Sequence, residues 1–351
     1  MHRIRLARAV SSGTWTAPDG RVEYRAGDAD TRRRRSQVRS PAAATGHAGS
    51  MSGAIECVLP AGAILGECPL WSGVEQRLYW VDIDGKAVHR FDPESRRDEW
   101  RDLPGRPGSL AVTATPGRLL VAMEHELVWL DWASRRVEPW LDLEPPRPGV
   151  RLNDGRTDPA GRFWVGSMYA PTSAGRFDGM LHRVEPGGEF TTTRSGIGVA
   201  NGLAFSPDGS AMYFADTLRD TVWVADYDMA SGEASNQRVL MDFAGMPGRP
   251  DGAGVDETGA YWIACVGGWA IARITPLGVV DRIIPVPVAW PTMVAFGGPD
   301  LRTLFITSIG IREGAATVDD QQDPGGLFAL DPGVAGIPEP VFGGRGTFQQ
   351  G

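Results

Sequence analysis

Four side chains able to bind a cation stand in one register of this chain. Asn153 lies eight residues before Gly161 in NDGRTDPAG, Asn201 eight before Gly209 in NGLAFSPDG, and Asp251 eight before Gly259 in DGAGVDETG. Glu67, in ECPLWSGVE, opens another strand-like segment in the same way. If the chain is built of repeats, these side chains come from equivalent places and meet at one point. Carboxylate and amide oxygens converging on one point suit a hard divalent cation such as Ca²⁺, Mg²⁺ or Mn²⁺. Such a donor set leaves coordination positions for water and substrate. A cation there polarises a carbonyl oxygen, and a nearby carboxylate takes a proton from water. Arg151 precedes Asn153 by two residues, so strand alternation points both the same way. Its guanidinium is then a donor to substrate oxygens or to charge developing on a carbonyl.

Simpler readings compete for each residue. Asn201-Gly202 and Asp251-Gly252 are strong turn formers. However, the turns at the far ends of these strands are already supplied by SPDG and DETG, Asp208 among them. An acidic Glu67 inside an otherwise apolar strand is costly unless paired or cation-bound. Arg151 read blandly is a surface salt-bridge residue. His89, His125 and His182 read as packing or surface residues, and Cys68 as a small core residue. Glu124-His125 follows a strand and is a candidate for reaching a channel mouth. No Ser follows a Gly by two residues, so there is no GxSxG elbow; P-loop and HExxH motifs are absent too.

The elements that must position these residues repeat. From residue 55 onward helical periodicity is nearly absent, and short β-branched and aromatic runs alternate with Gly, Pro and Asp turns. The clearest run of each unit reads LYWVD, LLVAM, FWVGSM, MYFADT, YWIACV and LFITSI. The recurring first-run position falls at Glu67, Ser109, Asn153, Asn201, Asp251 and Pro291/Thr292, spaced by 42, 44, 48, 50 and 41 residues. A period of about 40–50 residues with several strands per unit is the mark of propeller blades. The prediction is an all-β, six-bladed β-propeller with a central metal site. The first strand of each blade should line the channel, and IECVLPAGAI (55–64) should close the last blade and protect its edge.

Composition limits the alternatives. The chain has 351 residues and 12 Trp, ample for a large core. Its three cysteines form no CxxC pair, which fits a reducing, cytoplasmic setting. Residues 1–50 carry 10 Arg against 4 acidic residues, whereas the remainder carries 25 basic against 39 acidic. The basic head is read as a disordered extension, because the run after Arg32–Arg35 is not apolar as a secretory signal requires. Residues 51–351 are expected to form the propeller domain, with Met51 a candidate natural start because the patterned sequence begins just after it. Its acidity argues against nucleic acid as partner. No stretch approaches the ~18–20 apolar residues of a membrane span. A monomer or weak homo-oligomer is expected.

At these residues the chain resembles the senescence marker protein/gluconolactonase family, the regucalcin-like sugar lactonases. LGECPLW, YWVDI, HRFDP, RLNDGRTDPAGRFWVGSM, NGLAFSPDG, PDGAGVD and VAFGGPDLRTLFIT carry the resemblance over roughly residues 55–345. It implies a six-bladed propeller with one divalent cation (Ca, Zn, Mn, Mg or Fe) that hydrolyses sugar lactones to aldonic acids. Matched by motif, it implies Glu67, Asn201 and Asp251 as cation ligands, with Asp251 also the catalytic general base. It implies Arg151 and Asn153 as substrate contacts. Where some members place a sugar-contacting Glu, this chain reads YAPTSAGRFDG, and Val266-Gly267-Gly268-Trp269 stands for an Asn-Gly-Gly. Two other functions fit the residues: another ester or organophosphate hydrolase on the same scaffold, and a non-enzymatic calcium-binding propeller.

Overall fold

Strands come in fours. The computed structural model describes residues 54–310 and 320–344, and within them six four-stranded antiparallel sheets form six blades. The expected basic extension, residues 1–50, lies outside the described residues. The innermost strands are Gly66–Ser72, Ser109–Val112, Val150–Thr157, Ala200–Phe205, Arg249–Val255 and Pro291–Gly297. Blade 6 is completed by Glu56–Leu59, which pairs antiparallel with Leu327–Leu330 (Glu56 opposite Ala329). The ring is thus closed by the segment expected to close it, and the last edge is covered.

Burial explains which runs are easy to read. The second strand of each blade packs against neighbouring blades on both faces, so its middle is mostly apolar. Leu78, Tyr79, Trp80 and Val81 are all at most 1% exposed. The outermost strands face water and read as polar. Glu233–Asp242 is largely exposed and Arg97–Asp102 half-exposed, and three runs per unit are therefore more visible than four.

Five of the six inner strands carry the same irregularity. Pairing with the second strand slips by one residue between Glu67 and Leu70, Leu152 and Gly155, Asn201 and Ala204, Pro250 and Ala253, and Pro291 and Val294. Each is a β-bulge, which bends the strand and re-aims the side chains beside it. Blade 2, whose register position is Ser109, pairs without a slip. The bulges also correct the shared register. Relative to them, Glu67 and Asn201 occupy the last paired position, while Asn153 and Asp251 occupy the next one. The blade 4 hairpin also differs beyond the site: Ser206 bonds across its loop to Ala211, whereas Asp158 bonds to Arg162 and Asp256 to Ala260.

The channel's other end is crossed by the C-terminal segment. Gly336 bridges to Asp256 and Phe342 to Thr113. Arg156 donates to the carbonyls of Leu203 (3.4 Å) and Ala253 (2.5 Å) and, through two nitrogens, to Glu339 (3.1 and 2.8 Å). One guanidinium therefore ties blades 3, 4 and 5 to the tail. Arg156→Met strands the Glu339 carboxylate, which is only 10% exposed. The expected loss is about 3–5 kcal/mol in urea unfolding, largely recovered in Arg156→Met/Glu339→Leu. A loss under about 1 kcal/mol would contradict a structural role for the pair.

Candidate active site

Inner strands deliver Glu67, Arg151, Asn153, Asn201 and Asp251 to one cavity of about 820 Å³ at the channel mouth. All five residues singled out in the sequence line it. Ser109 and Thr292 do not. Thr292 instead donates to the Gly66 carbonyl (2.5 Å), and the Cys68 thiol packs against blade 2, accepting from Leu110 N at 3.3 Å. His89 stacks on Trp80 and His182 bonds Glu144 inside the structure, as packing residues do.

A carboxylate at the end of the second strand fixes the backbone ahead of the inner strand in blades 1 and 4. The acidic residue ending LYWVD, Asp82, accepts from Ile64 N (2.9 Å) and Leu65 N (3.0 Å), just ahead of Glu67. Asp216, ending MYFAD, accepts from Gly198 N (2.9 Å) and Val199 N (3.0 Å), just ahead of Asn201. Asn201-Gly202 and Asp251-Gly252 lie in strands, not turns. Gly202 has a φ of +63°, and a Cβ there would meet the Tyr261 hydroxyl at 2.2 Å. Cys68, at the matching bulge position of blade 1, holds the same left-handed conformation at φ 47° without being glycine.

Hydrogen bonding sorts the two amides. The Thr217 hydroxyl donates to the Pro250 carbonyl (2.8 Å), so towards Asn201 it can only accept. Asn201 Nδ2 donates to it at 2.8 Å, and Oδ1 is left to face Asn153. Asn153 Nδ2 donates to the Ala200 carbonyl (2.9 Å) and to Asn201 Oδ1 (3.0 Å). Its own Oδ1 is taken by Arg151 Nη1 at 2.7 Å. Asn201 therefore offers a free lone pair, while Asn153 is bound into a pair with Arg151.

Sequence reasoning missed two members of this arrangement. Thr217 stands outside the inner strands, and its hydroxyl has no motif to announce it. Asp154 follows Asn153, and strict alternation turns it away from the channel. The bulge instead leaves both buried, at 5% and 6% exposure, with Asp154 Oδ2 accepting from Leu203 N (3.0 Å). Asp154 Oδ1 is buried with no partner among the described residues.

Residues 65–310 match the family model described as SMP-30/Gluconolactonase/LRE-like region. The chain belongs to this family. It is 38% identical over 295 residues to a 6-deoxy-6-sulfogluconolactonase of Pseudomonas putida, covering 84% of this chain and all of that one. A pentonolactonase of Haloferax volcanii is 35% identical, covering 78% of this chain and 93% of its own. Among solved structures, a calcium-binding regucalcin of Agrobacterium tumefaciens superposes with a TM-score of 0.76 at 28% identity, covering 82% and 96%.

The donor set of this SMP-30/gluconolactonase chain fits a hard cation. Among the described residues no three His, Cys, Asp or Glu side chains form a metal cluster, and the candidate donors here are two carboxylates and an amide oxygen. Each carboxylate takes a hydrogen bond from the amide that follows it, Cys68 N and Gly252 N. Burial, then the nearby Asp154, pushes the Glu67 carboxyl up to about 8. Burial and the charges of Glu67 and Asp154 hold Asp251 well above the usual carboxylate range. Burial raises Asp154 to about 6 and lowers the Arg151 guanidinium to about 10. Two buried carboxyls and the half-buried Glu67 thus resist ionising together, which a bound cation would relieve.

Raised folded-state values mean that these groups favour the fold fully below their unfolded values, near 4, and cease to as pH rises through the folded ones. Chelator-treated protein should therefore lose thermal stability between about pH 4 and about pH 8 from this cluster. Added divalent cation should restore it at the upper end, and Asp251→Asn should flatten the pH dependence. Identical melting profiles for the wild type and Asp251→Asn, with and without cation, would refute the assignment.

Proposed function

We propose that this protein is a metal-dependent sugar lactonase that opens an aldonolactone to the aldonic acid. The observation that carries the proposal is the convergence of Glu67, Asn201 and Asp251, from blades 1, 4 and 5, beside the Arg151–Asn153 pair of blade 3, on one open cavity. Family membership supports the hydrolase class, that of carboxylic ester hydrolases. The relatives named for a sulfogluconolactone and a pentonolactone support an aldonolactone substrate.

Glu67, Asn201 Oδ1 and Asp251 would hold the cation. When bound, it supplies positive charge for the lactone carbonyl oxygen. Arg151 and Asn153 sit beside that centre and orient the ring oxygens. The Asp251 carboxylate, its proton affinity raised by burial, takes a proton from water as that water's oxygen bonds to the carbonyl carbon. The ring C–O bond then breaks, and the proton held by Asp251 passes to the departing oxygen. Thr217 keeps Asn201 oriented throughout.

The same reading places the enzyme in the cytoplasm, on its three unpaired cysteines, as a monomer or weak homo-oligomer. Among the described residues no helix is long and apolar enough to cross a membrane.

Asp251→Ala and Glu67→Ala should each lower kcat/KM on gluconolactone or xylonolactone by at least about 10³-fold, a loss in the range seen when a catalytic group is removed. Both variants should keep the far-ultraviolet circular dichroism of the parent. Chelation should abolish activity and divalent cation restore it, with a paraoxon-type ester hydrolysed far more slowly. Equal lactonase activity before and after removal of metal would overturn the mechanism.

A further inference from the structure

Beside the main cavity lies a second, of about 420 Å³, which shares three of its wall residues: Arg106, Arg151 and Ala170. Its other charged or ionisable lining residues are Arg147, His125 and Glu124. Three guanidiniums and an imidazole thus face one carboxylate. The loop Tyr169–Asp178, which bounds both cavities, contributes Ala170, Pro171 and Thr172 to the main wall and no carboxylate.

The basic groups differ in how far they are committed. Arg147 is paired with the buried Glu144. Arg151 spends Nη1 on Asn153 Oδ1 and the Leu152 carbonyl. Arg106, with a side chain 45% exposed, meets Asp84 at 3.5 Å through Nε and makes no hydrogen bond among the described residues. It also lies close enough to Arg151 for the two positive charges to oppose each other. His125 Nδ1 is buried with no hydrogen-bond partner among the described residues. The wall carrying it is fixed: the His125 carbonyl accepts from Leu143 N (3.0 Å) and Glu144 N (3.1 Å), and the Glu124 carbonyl from Leu152 N (2.8 Å).

We propose that this annex, through Arg106 with Arg151 and His125, receives a tetrahedral oxyanion (a sulfonate or phosphate) at the far end of the sugar lactone. The inference rests on the lactonase reading and deepens it by naming the substrate class. Its chemistry is direct. A lactone ring placed beside Arg151 and Asn153 carries its exocyclic carbon away from the reacting carbonyl, and the shared Arg151 wall leads into the annex. Arginine forks match the spacing of sulfonate and phosphate oxygens, and a charge-assisted bond in a partly enclosed site is stronger than one at the surface. The sulfonated substrate named for the relative from Pseudomonas putida is of this class.

The test compares three lactones on the full chain with metal added back: gluconolactone, 6-phosphogluconolactone and 6-deoxy-6-sulfogluconolactone. At least one anionic lactone should exceed the neutral one in kcat/KM by about tenfold, in line with one charge-assisted contact. The phosphate and sulfonate arms show which oxyanion is preferred. Arg106→Gln should reduce that ratio towards one, through KM and not kcat, and His125→Phe should reduce it in part. An unchanged ratio in Arg106→Gln, or equal use of neutral and anionic lactones by the parent, would overturn the annex. If no lactone is hydrolysed, the lactonase reading itself fails. Calorimetric titration with 6-phosphogluconate and gluconate then decides the annex alone. Tighter binding of 6-phosphogluconate, lost in Arg106→Gln, supports it, and equal binding refutes it.

Discussion

Carboxylates that share a buried channel cannot all stay ionised without a positive partner. Burial raises the proton affinity of Glu67, Asp154 and Asp251, Asp154 raises that of the other two further, and Glu67 raises that of Asp251. The cations in reach are few. Arg156 is committed to Glu339 and to two carbonyls, and Arg151 to Asn153 and the Leu152 carbonyl. A hydrophobic isostere at Glu67 or Asp251 would remove the repulsion at no cost to packing. Retaining the charges is intelligible if a cation completes the centre. The amide of Asn201, turned by Thr217 so that its oxygen stands beside Asn153, would add a neutral donor to that set.

The propeller makes that concentration of charge possible. Each blade buries both faces of its second strand, as Leu78–Val81 does, so the surroundings of the channel are rigid and apolar. The inner strands can then depart from regular pairing where they meet the cavity. The five bulges fall at this end of the strands, and the blade without one has Ser109, which stays outside the site. The opposite end is held by the Arg156–Glu339 pair and the crossing tail, which keeps the inner strands of blades 3, 4 and 5 at fixed heights.

Much of this was legible in residue types and spacing. Apolar second strands and a period of 41–50 residues disclosed six blades, and Glu56–Leu59 closes the ring as its position ahead of blade 1 suggested. Polar residues at the mouths of inner strands disclosed the cavity. What alternation could not disclose was the bulge. It leaves Asp154 buried next to Asn153, and relative to it Glu67 and Asn201 stand one position away from Asn153 and Asp251. Thr217 also escaped, since it acts across blades and belongs to no repeated motif.

The central claim is that Glu67, Asn201 and Asp251 together bind one divalent cation at the channel mouth. Anomalous diffraction from crystals of the protein soaked in Mn²⁺ tests this most directly. The account expects one strong peak bonded to oxygens of these three side chains, and none there in Asp251→Ala. A peak elsewhere, or none at saturating Mn²⁺, would contradict it.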